Sequence, residues 1–161
     1  MDAVLPLIGV VIGAVLGGGM TFLLDRRRER RAARAGLRLV VVELRRIQST
    51  WQNLTNEWDE KPTAETAEWV ISEVQGRPFS TAQWQNHQEI LASSLSGEDW
   101  KALADAYAVI GLVNEAAHTT VDPEHRTELP GVMKETRWRV DIAVERLQRG
   151  TGGPPVGPAS A

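Results

Sequence analysis

An uncharged segment of 22 residues, Ala3 to Leu24, is the feature that most constrains this chain of 161 residues. As an α-helix the segment would be about 33 Å long, against a bilayer hydrocarbon core of about 30 Å. In hydrocarbon every backbone N–H and C=O must be paired within the segment, and a helix achieves this. Pro6 falls in the first turn, where its missing N–H costs little. The sequence therefore predicts a transmembrane anchor over residues 1–24.

Two other interpretations of this segment stay open. A cleaved signal peptide needs positive charge before the apolar run and small residues at a cleavage site after it. Here Met1 and Asp2 precede the run, and Asp25 followed by arginines comes after it. The segment can also be a buried helix of a soluble protein, although such helices seldom run so long without a polar residue. Length and flanks together favour an uncleaved anchor.

Charge divides the chain into unlike parts, which the overall net charge of −3 conceals. Residues 25–46 carry nine arginines against three acids, whereas residues 47–161 have a net charge of −8. Cationic flanks of membrane helices stay inside, so we expect a single-pass plasma-membrane protein with its N-terminus outside and its C-terminal domain cytoplasmic. We interpret residues 25–36 as a basic juxtamembrane collar on anionic lipid headgroups. The contacting residues are Arg26, Arg27, Arg28, Arg30, Arg31 and Arg34.

Three glycines, Gly9, Gly13 and Gly17, recur at every fourth position of the apolar segment. On a helix they form a nearly bare stripe that a second membrane helix can approach closely. The same spacing also arises by chance, because glycine is common in membrane helices. A homo-oligomer is therefore one alternative, and with it a membrane-active protein of the holin-like or toxin-like kind. Such a protein does not need the large domain that follows.

Apolar residues after the collar repeat at alternating steps of three and four, as in a heptad pattern. They are Leu37, Val40, Leu44, Ile47, Trp51, Leu54 and Trp58. One continuous helix can thus leave the membrane and enter the domain, with Gly36 as a point where it loosens. The stripe either packs within the chain or forms a parallel coiled coil between copies. Its two tryptophans favour packing within the chain, since bulky rings fit a globular core better than a narrow dimer seam.

Helix start signals divide the rest of the chain into further helical segments. The expected N-caps are Thr63, Ser80 (in a capping box with Gln83), Ser96 and Asp122. Pro130 restarts or kinks the last segment, which ends near Gln148. The prediction is all-α: a bundle of about four to five helices over residues 37–149. A disordered tail rich in Pro and Gly follows at residues 150–161.

The aromatic residues are six tryptophans, one tyrosine and two phenylalanines. Tryptophan can also form a belt at a membrane surface or stack on nucleobases. Trp51, however, lies about 40 Å beyond Leu24 along a straight helix, which is too far for such a belt. We therefore expect the tryptophans to anchor the core, where each buries a large apolar area.

A search for chemistry finds no motif for catalysis, so we expect no enzyme activity, no metal and no cofactor. The chain has no cysteine, no glycine-rich phosphate loop, no G-x-S-x-G and no H-E-x-x-H. The nearest approach to a metal site is the group His118, Asp122, Glu124 and His125, whose spacing matches no ligand template. We expect His87 to be a core residue. The remaining candidates are carboxylates that resemble a solvated turn, at Glu57, Asp59 and Glu60.

The arginine cluster is also the electrostatic footprint of nucleic-acid binding. The acidic domain that follows would repel phosphates, so we expect no nucleic-acid partner. The layout favours a non-enzymatic interaction or scaffolding module on the cytoplasmic face of the membrane. Its partners would be the anionic bilayer and a protein that the sequence does not identify.

Overall fold

The structure is a computed structural model that describes the backbone of residues 4–119 and 128–151 and the side chains of residues 24–119 and 128–149. Within these residues it has five helices and no strand, which confirms the all-α prediction. The helices are α1 (Val4–Glu60), α2 (Ala64–Gly76), α3 (Ala82–Ser94), α4 (Gly97–His118) and α5 (Leu129–Thr151).

A single helix of 57 residues, α1, includes the apolar segment, the collar and the first element of the bundle. At 1.5 Å per residue it is about 85 Å long. Beyond the collar its predicted apolar stripe is buried at Val40, Leu44, Ile47, Trp51 and Leu54. Because the chain's own helices cover this stripe, the heptads pack within the chain and do not form the seam of a coiled coil between copies.

Two helices, α3 and α5, pack along α1 and run antiparallel to it. For α5 the direction follows from two contacts: Gln48 Nε2 donates to Asp141 Oδ1 at 2.7 Å, and Lys134 Nζ pairs with Asp59 Oδ1 at 2.7 Å. Rising numbers on α1 therefore match falling numbers on α5. The helix α4 packs against α5, and α2 packs against α4 with smaller contacts to α1 and α5.

Two of the predicted helix starts are confirmed by their hydrogen bonds. Thr63 Oγ1 accepts from the Thr66 N–H at 3.2 Å, and Ser96 Oγ accepts from the Asp99 N–H at 3.1 Å. Pro130 lies in the first turn of α5, where a proline does not interrupt helical hydrogen bonds. The expected cap at Asp122 lies outside the described residues, as does nearly all of the tail.

Gly36 is a site of close packing, and its interpretation as a loosening point is wrong. An added Cβ at Gly36 would lie 2.9 Å from Cγ and 3.2 Å from Cβ of His87 on α3. The helix α1 stays continuous here, and the missing side chain lets α3 approach it. His87 is half-buried over this contact instead of lying deep in the core.

The tryptophans divide into core and surface residues, so the expectation that they anchor the core holds only in part. Trp51 is fully buried, and its Nε1–H donates to the Met133 carbonyl at 2.8 Å. Trp69 and Trp138 are instead 41% and 55% exposed. The helix α2 buries a face centred on Val70, and Trp69 lies at the edge of that face.

No helix is long and apolar enough to cross a membrane among the residues that could be searched for one. The predicted transmembrane segment falls almost wholly on residues 1–23, whose side chains lie outside the described set.

We predict opposite effects for two Gly→Ala substitutions in helices. Gly36→Ala forces its Cβ against the base of the His87 side chain, which cannot swing away, and should lower the free energy of unfolding by about 1–3 kcal/mol. Gly111→Ala, on the exposed side of α4 with nothing near its Cβ, should raise that free energy by up to about 1 kcal/mol. Denaturant unfolding of the full chain in mild detergent measures both. Equal effects of the two substitutions would contradict the close approach at Gly36.

Candidate functional site

Five of the six collar arginines lie on a stretch of α1 that projects from the bundle, and the sixth, Arg34, is exposed just beyond it. Residues 24–32 are exposed, and Ala33 is the first buried position of α1 in the described part. The helix rises about 14 Å between Leu24 and Ala33. The structure therefore places all six predicted lipid-contacting residues at exposed positions of α1 within about three turns of one another, next to the predicted anchor.

The collar carries six arginines against two acids, Asp25 and Glu29. Arg28 Nη1 lies 3.9 Å from Asp25 Oδ1, and the two side chains are 82% and 59% exposed. An ion pair this exposed contributes about 0–1 kcal/mol and is screened by salt. The collar therefore keeps a positive potential toward its surroundings.

The glycine stripe has the backbone conformation that the prediction requires. The helix α1 continues through Gly9, Gly13 and Gly17, and residues four apart lie on the same side of a helix. These positions precede the residues with described side chains. Packing of a second membrane helix on the stripe stays a prediction.

A second polar site, which the sequence analysis did not single out, is the carboxylate of Glu43 on α1. Glu43 is only 8% exposed, and each of its oxygens accepts two hydrogen bonds. Oε1 accepts from the Ser80 hydroxyl at 2.7 Å and the Gln83 N–H at 3.2 Å. Oε2 accepts from the Tyr107 hydroxyl at 2.7 Å and the Trp84 N–H at 3.4 Å. One carboxylate thus joins α1, α3 and α4.

Glu43 replaces the local cap that we predicted for α3. The capping box of Ser80 and Gln83 does not form, because Ser80 directs its hydroxyl to Glu43 and the Gln83 N–H donates to the same carboxylate. A negative charge is also favourable at this position, since the helix N-terminus carries a partial positive charge. The cap comes from about 40 residues away in the sequence, so no short motif contains it.

The four donors also limit what Glu43 can do chemically. An ionised carboxylate offers about four lone-pair positions, and here the protein's own donors use all of them. A general base needs an acceptor position free for the substrate's proton. The arrangement therefore suits a structural role, and we call Glu43 a staple because its single side chain holds α1, α3 and α4 together.

Aromatic rings enclose one side of this site. The Trp84 ring stacks on Tyr107 with centroids 5.0 Å apart and lies 4.9 Å from the Trp100 ring. Burial, together with the hydrogen bond to Glu43 and its nearby charge, raises the pKa of Tyr107 well above its ordinary value. The hydroxyl stays protonated and donates to the carboxylate.

A paired amide contact fixes the loop that precedes α3. Asn114 Oδ1 accepts from the Phe79 N–H at 2.9 Å, and Asn114 Nδ2 donates to the Phe79 carbonyl at 2.9 Å. The Phe79 ring stacks on Trp51 with centroids 5.3 Å apart. These contacts place Ser80 within reach of Glu43. Asn114 and Phe79 are 35 residues apart in the sequence, so no local motif indicates this contact.

The remaining candidates do not form a site in the described part of the chain. No group of three His, Asp or Glu residues there is arranged to hold a metal ion. Of the histidine and acid group around the α4–α5 junction only His118 is described. Glu57, Asp59 and Glu60 lie exposed at the end of α1, and Asp59 pairs with Lys134.

Comparisons with known proteins give no relative: no family model, no curated protein and no solved structure matches this chain.

We predict that Glu43 is a major contributor to stability. Glu43→Ala leaves the buried Tyr107 hydroxyl without its acceptor and should lower the free energy of unfolding by about 1–3 kcal/mol, because an orphaned buried donor costs that much. The other three donors lie in part-buried contacts, where water can replace part of the lost hydrogen bond. Glu43→Gln, which keeps one carbonyl acceptor, should lose less. Glu57→Ala, at an exposed position of the same helix, should change stability by under about 0.5 kcal/mol. Equal losses in Glu43→Ala and Glu57→Ala, measured by denaturant unfolding, would exclude the staple.

We also predict an alkaline limit to stability that depends on Tyr107. Its pKa is higher in the folded state than the value of about 10 in unfolded chains, so its contribution is complete below about pH 10. Above that pH the free energy of unfolding should fall by about 1.4 kcal/mol per pH unit from this residue. Tyr107→Phe should lack this component. Tyr107 is the only tyrosine, so tyrosinate absorbance reports it alone and should rise only as the domain unfolds. Ionisation near pH 10 in the folded protein would contradict the buried hydrogen bond.

Proposed function

We propose that this protein is a single-pass membrane protein whose cytoplasmic helical bundle is a non-enzymatic interaction or scaffolding module. The observation that carries the proposal is the continuity of α1, which holds the uncharged segment, the collar and the bundle's buried stripe in one helix. Without a flexible joint, a helix that spans the bilayer also sets the height and direction of the domain.

The dimensions of the collar agree with a position at the membrane surface. The headgroup layer on each side of a bilayer is about 5–8 Å thick, from the difference between its total and its hydrocarbon thickness. If Leu24 lies at the hydrocarbon boundary, the exposed stretch of about 14 Å crosses this layer before the first buried residue, Ala33. Each arginine near an anionic surface contributes about 1 kcal/mol of attraction.

The opposite end of α1 supports the same orientation. Glu57, Asp59 and Glu60 are exposed there, about 50 Å from Leu24 along the helix. An anionic membrane attracts the collar and repels this acidic end. Both effects favour a domain that stands away from the membrane.

The chemistry of the bundle favours an interaction role over catalysis. Its buried carboxylate, Glu43, is occupied by four donors that belong to the fold. Exposed apolar side chains, among them Leu112 and Trp138, offer surface for a protein partner.

Thiol labelling tests the topology, because the natural chain has no cysteine. In intact spheroplasts a membrane-impermeant maleimide should label Ala3→Cys, whereas Ser93→Cys, at an exposed position of α3, should react only after detergent is added. Labelling of Ser93→Cys in intact spheroplasts would contradict the proposed orientation.

The matched control changes only the apolar segment. Adding Val11→Arg and Ala14→Arg costs about 2.5–3.5 kcal/mol per arginine at the bilayer centre. The unmodified chain should remain in the membrane pellet after an alkaline wash, and the double variant should be released. Recovery of a natural chain that lacks its first two dozen residues would show a cleaved leader and refute the anchor.

A further inference from the structure

The surface formed by α4 and α5 carries half of the large exposed apolar side chains in the described part of the chain. Leu112 is 64% exposed and Trp138 55%, with Val132 and Ile142 at 46% and 38%. These residues border two clefts between the helices, with volumes of about 310 and 290 Å³. Leu112 and Val132 border one cleft and Trp138 and Ile142 border the other, so the apolar side chains lie in two groups along the junction of α4 and α5.

The side of α5 next to α4, which borders both clefts, has an ordered pattern of charge; its two arginines are half-buried and its other members are exposed. Six positions at alternating steps of four and three lie along it: Glu128, Val132, Glu135, Arg139, Ile142 and Arg146. Both acids lie in the N-terminal half of this face, both arginines lie in the C-terminal half, and one apolar residue lies within each half. When the six residues are read in reverse order, each acid takes the place of an arginine, each arginine takes the place of an acid, and the two apolar residues change places. The face is therefore complementary to itself only when one copy is turned end to end.

We infer that this face of α5 docks against the same face of a second copy of this chain, with the two α5 helices antiparallel. A two-fold axis near residue 137 brings opposite charges together throughout. The facing pairs are Glu128 with Arg146, Val132 with Ile142, and Glu135 with Arg139, and each occurs twice. A parallel arrangement would place each acid against the same acid and each arginine against the same arginine.

The charged groups are available for these contacts. Glu135 and Arg139 are spaced for an ion pair within α5, but none joins them in the described structure. The Arg139 guanidinium instead lies 5.3 Å from the Trp138 ring centroid, and its buried Nε has no hydrogen-bond partner. Arg146 pairs with Glu98 at 2.9 Å and lies 4.0 Å from Asp99. The Glu98 side chain is 83% exposed, so the shorter of these pairs is weak and exchangeable.

Antiparallel pairing has a consequence that rests on the proposed membrane anchor. Within each chain α5 runs antiparallel to α1, so the two α1 helices of the dimer point in opposite directions. The second copy would then be anchored in a facing bilayer. Copies in the same bilayer would present α5 in parallel and repel through their like charges. The pairing would therefore join two membrane surfaces.

Cysteine crosslinking of the full chain in detergent tests the register. When Val132→Cys and Ile142→Cys chains are mixed and oxidised, we expect a disulfide between unlike chains. Val132→Cys alone should form few crosslinks, because the two copies of this position lie far apart in the antiparallel dimer. Efficient crosslinking of Val132→Cys with itself, or a chain that stays monomeric, would overturn the inference.

Charge reversal tests the complementarity in the same detergent. Glu135→Arg and Arg139→Glu should each raise the dimer's Kd about tenfold, since each turns two attractive pairs into repulsive ones. An equal mixture of the two variants, and the chain that carries both changes, should dimerise again. Glu145→Arg, an equal charge change on another side of α5, is the control and should leave the dimer intact. Lack of recovery in the mixture, with melting curves that show folded variants, would overturn the inference.

Vesicles that carry the full chain test the facing-bilayer geometry. Vesicles of neutral lipid that present the domain outward should cluster, with rising turbidity, and those with Glu135→Arg should not. Antiparallel crosslinks in detergent without clustering would overturn the joining of membranes. Failure of the anchor gives a different result: the chain leaves the vesicles in an alkaline wash, while the crosslinks in detergent persist.

Discussion

The buried carboxylate of Glu43 is the interaction on which the arrangement of this bundle depends. A carboxylate loses its hydration when it enters a core, and this loss is tolerated only where donors replace the water. Here the replacement donors come from the start of α3 and from Tyr107 on α4. The buried Tyr107 hydroxyl needs the carboxylate, and the carboxylate needs the protein's donors in place of water. The relative positions of three helices are therefore coupled through one side chain.

The close contact at Gly36 completes this coupling. Glu43 holds the beginning of α3, and the absence of a side chain at Gly36 lets the next turns of α3 lie against α1 over His87. A carboxylate at one end and a glycine about two turns away thus fix both the direction and the distance of α3. Apolar burial along the stripe of α1 provides the larger share of stability, but it does not distinguish one helix orientation from another. The polar contacts provide that distinction.

Periodicity and local capping allowed much of this fold to be predicted. The stripe from Val40 to Leu54, the caps at Thr63 and Ser96 and the continuity of α1 all depend on residues within a few turns of one another. The features that were missed depend on distant partners. Glu43 lies three residues from Val40 and four from Ile47, and this spacing put an acid beside the buried stripe. No pattern in the neighbouring residues indicated that Ser80 and Tyr107 would donate hydrogen bonds to Glu43. Trp69 was expected in the core with the other tryptophans, but it lies exposed. One position along a helix is about 100° of rotation, which turns Trp69 away from its buried neighbour Val70.

The rigidity of α1 links the chemistry of the core to events at the surface. A flexible linker after a membrane anchor would let the domain present any face to any partner. A continuous helix removes that freedom, so the directions of the collar and of the α5 face are fixed relative to each other. Partners in the same membrane and partners in a facing one then meet the domain in different orientations. If the α5 faces dock as inferred, the separation of acids and arginines into two halves of α5 would distinguish these orientations, because one brings opposite charges together and the other like charges. The selectivity of the module would then follow from how the helices are joined as much as from the residues that touch the partner.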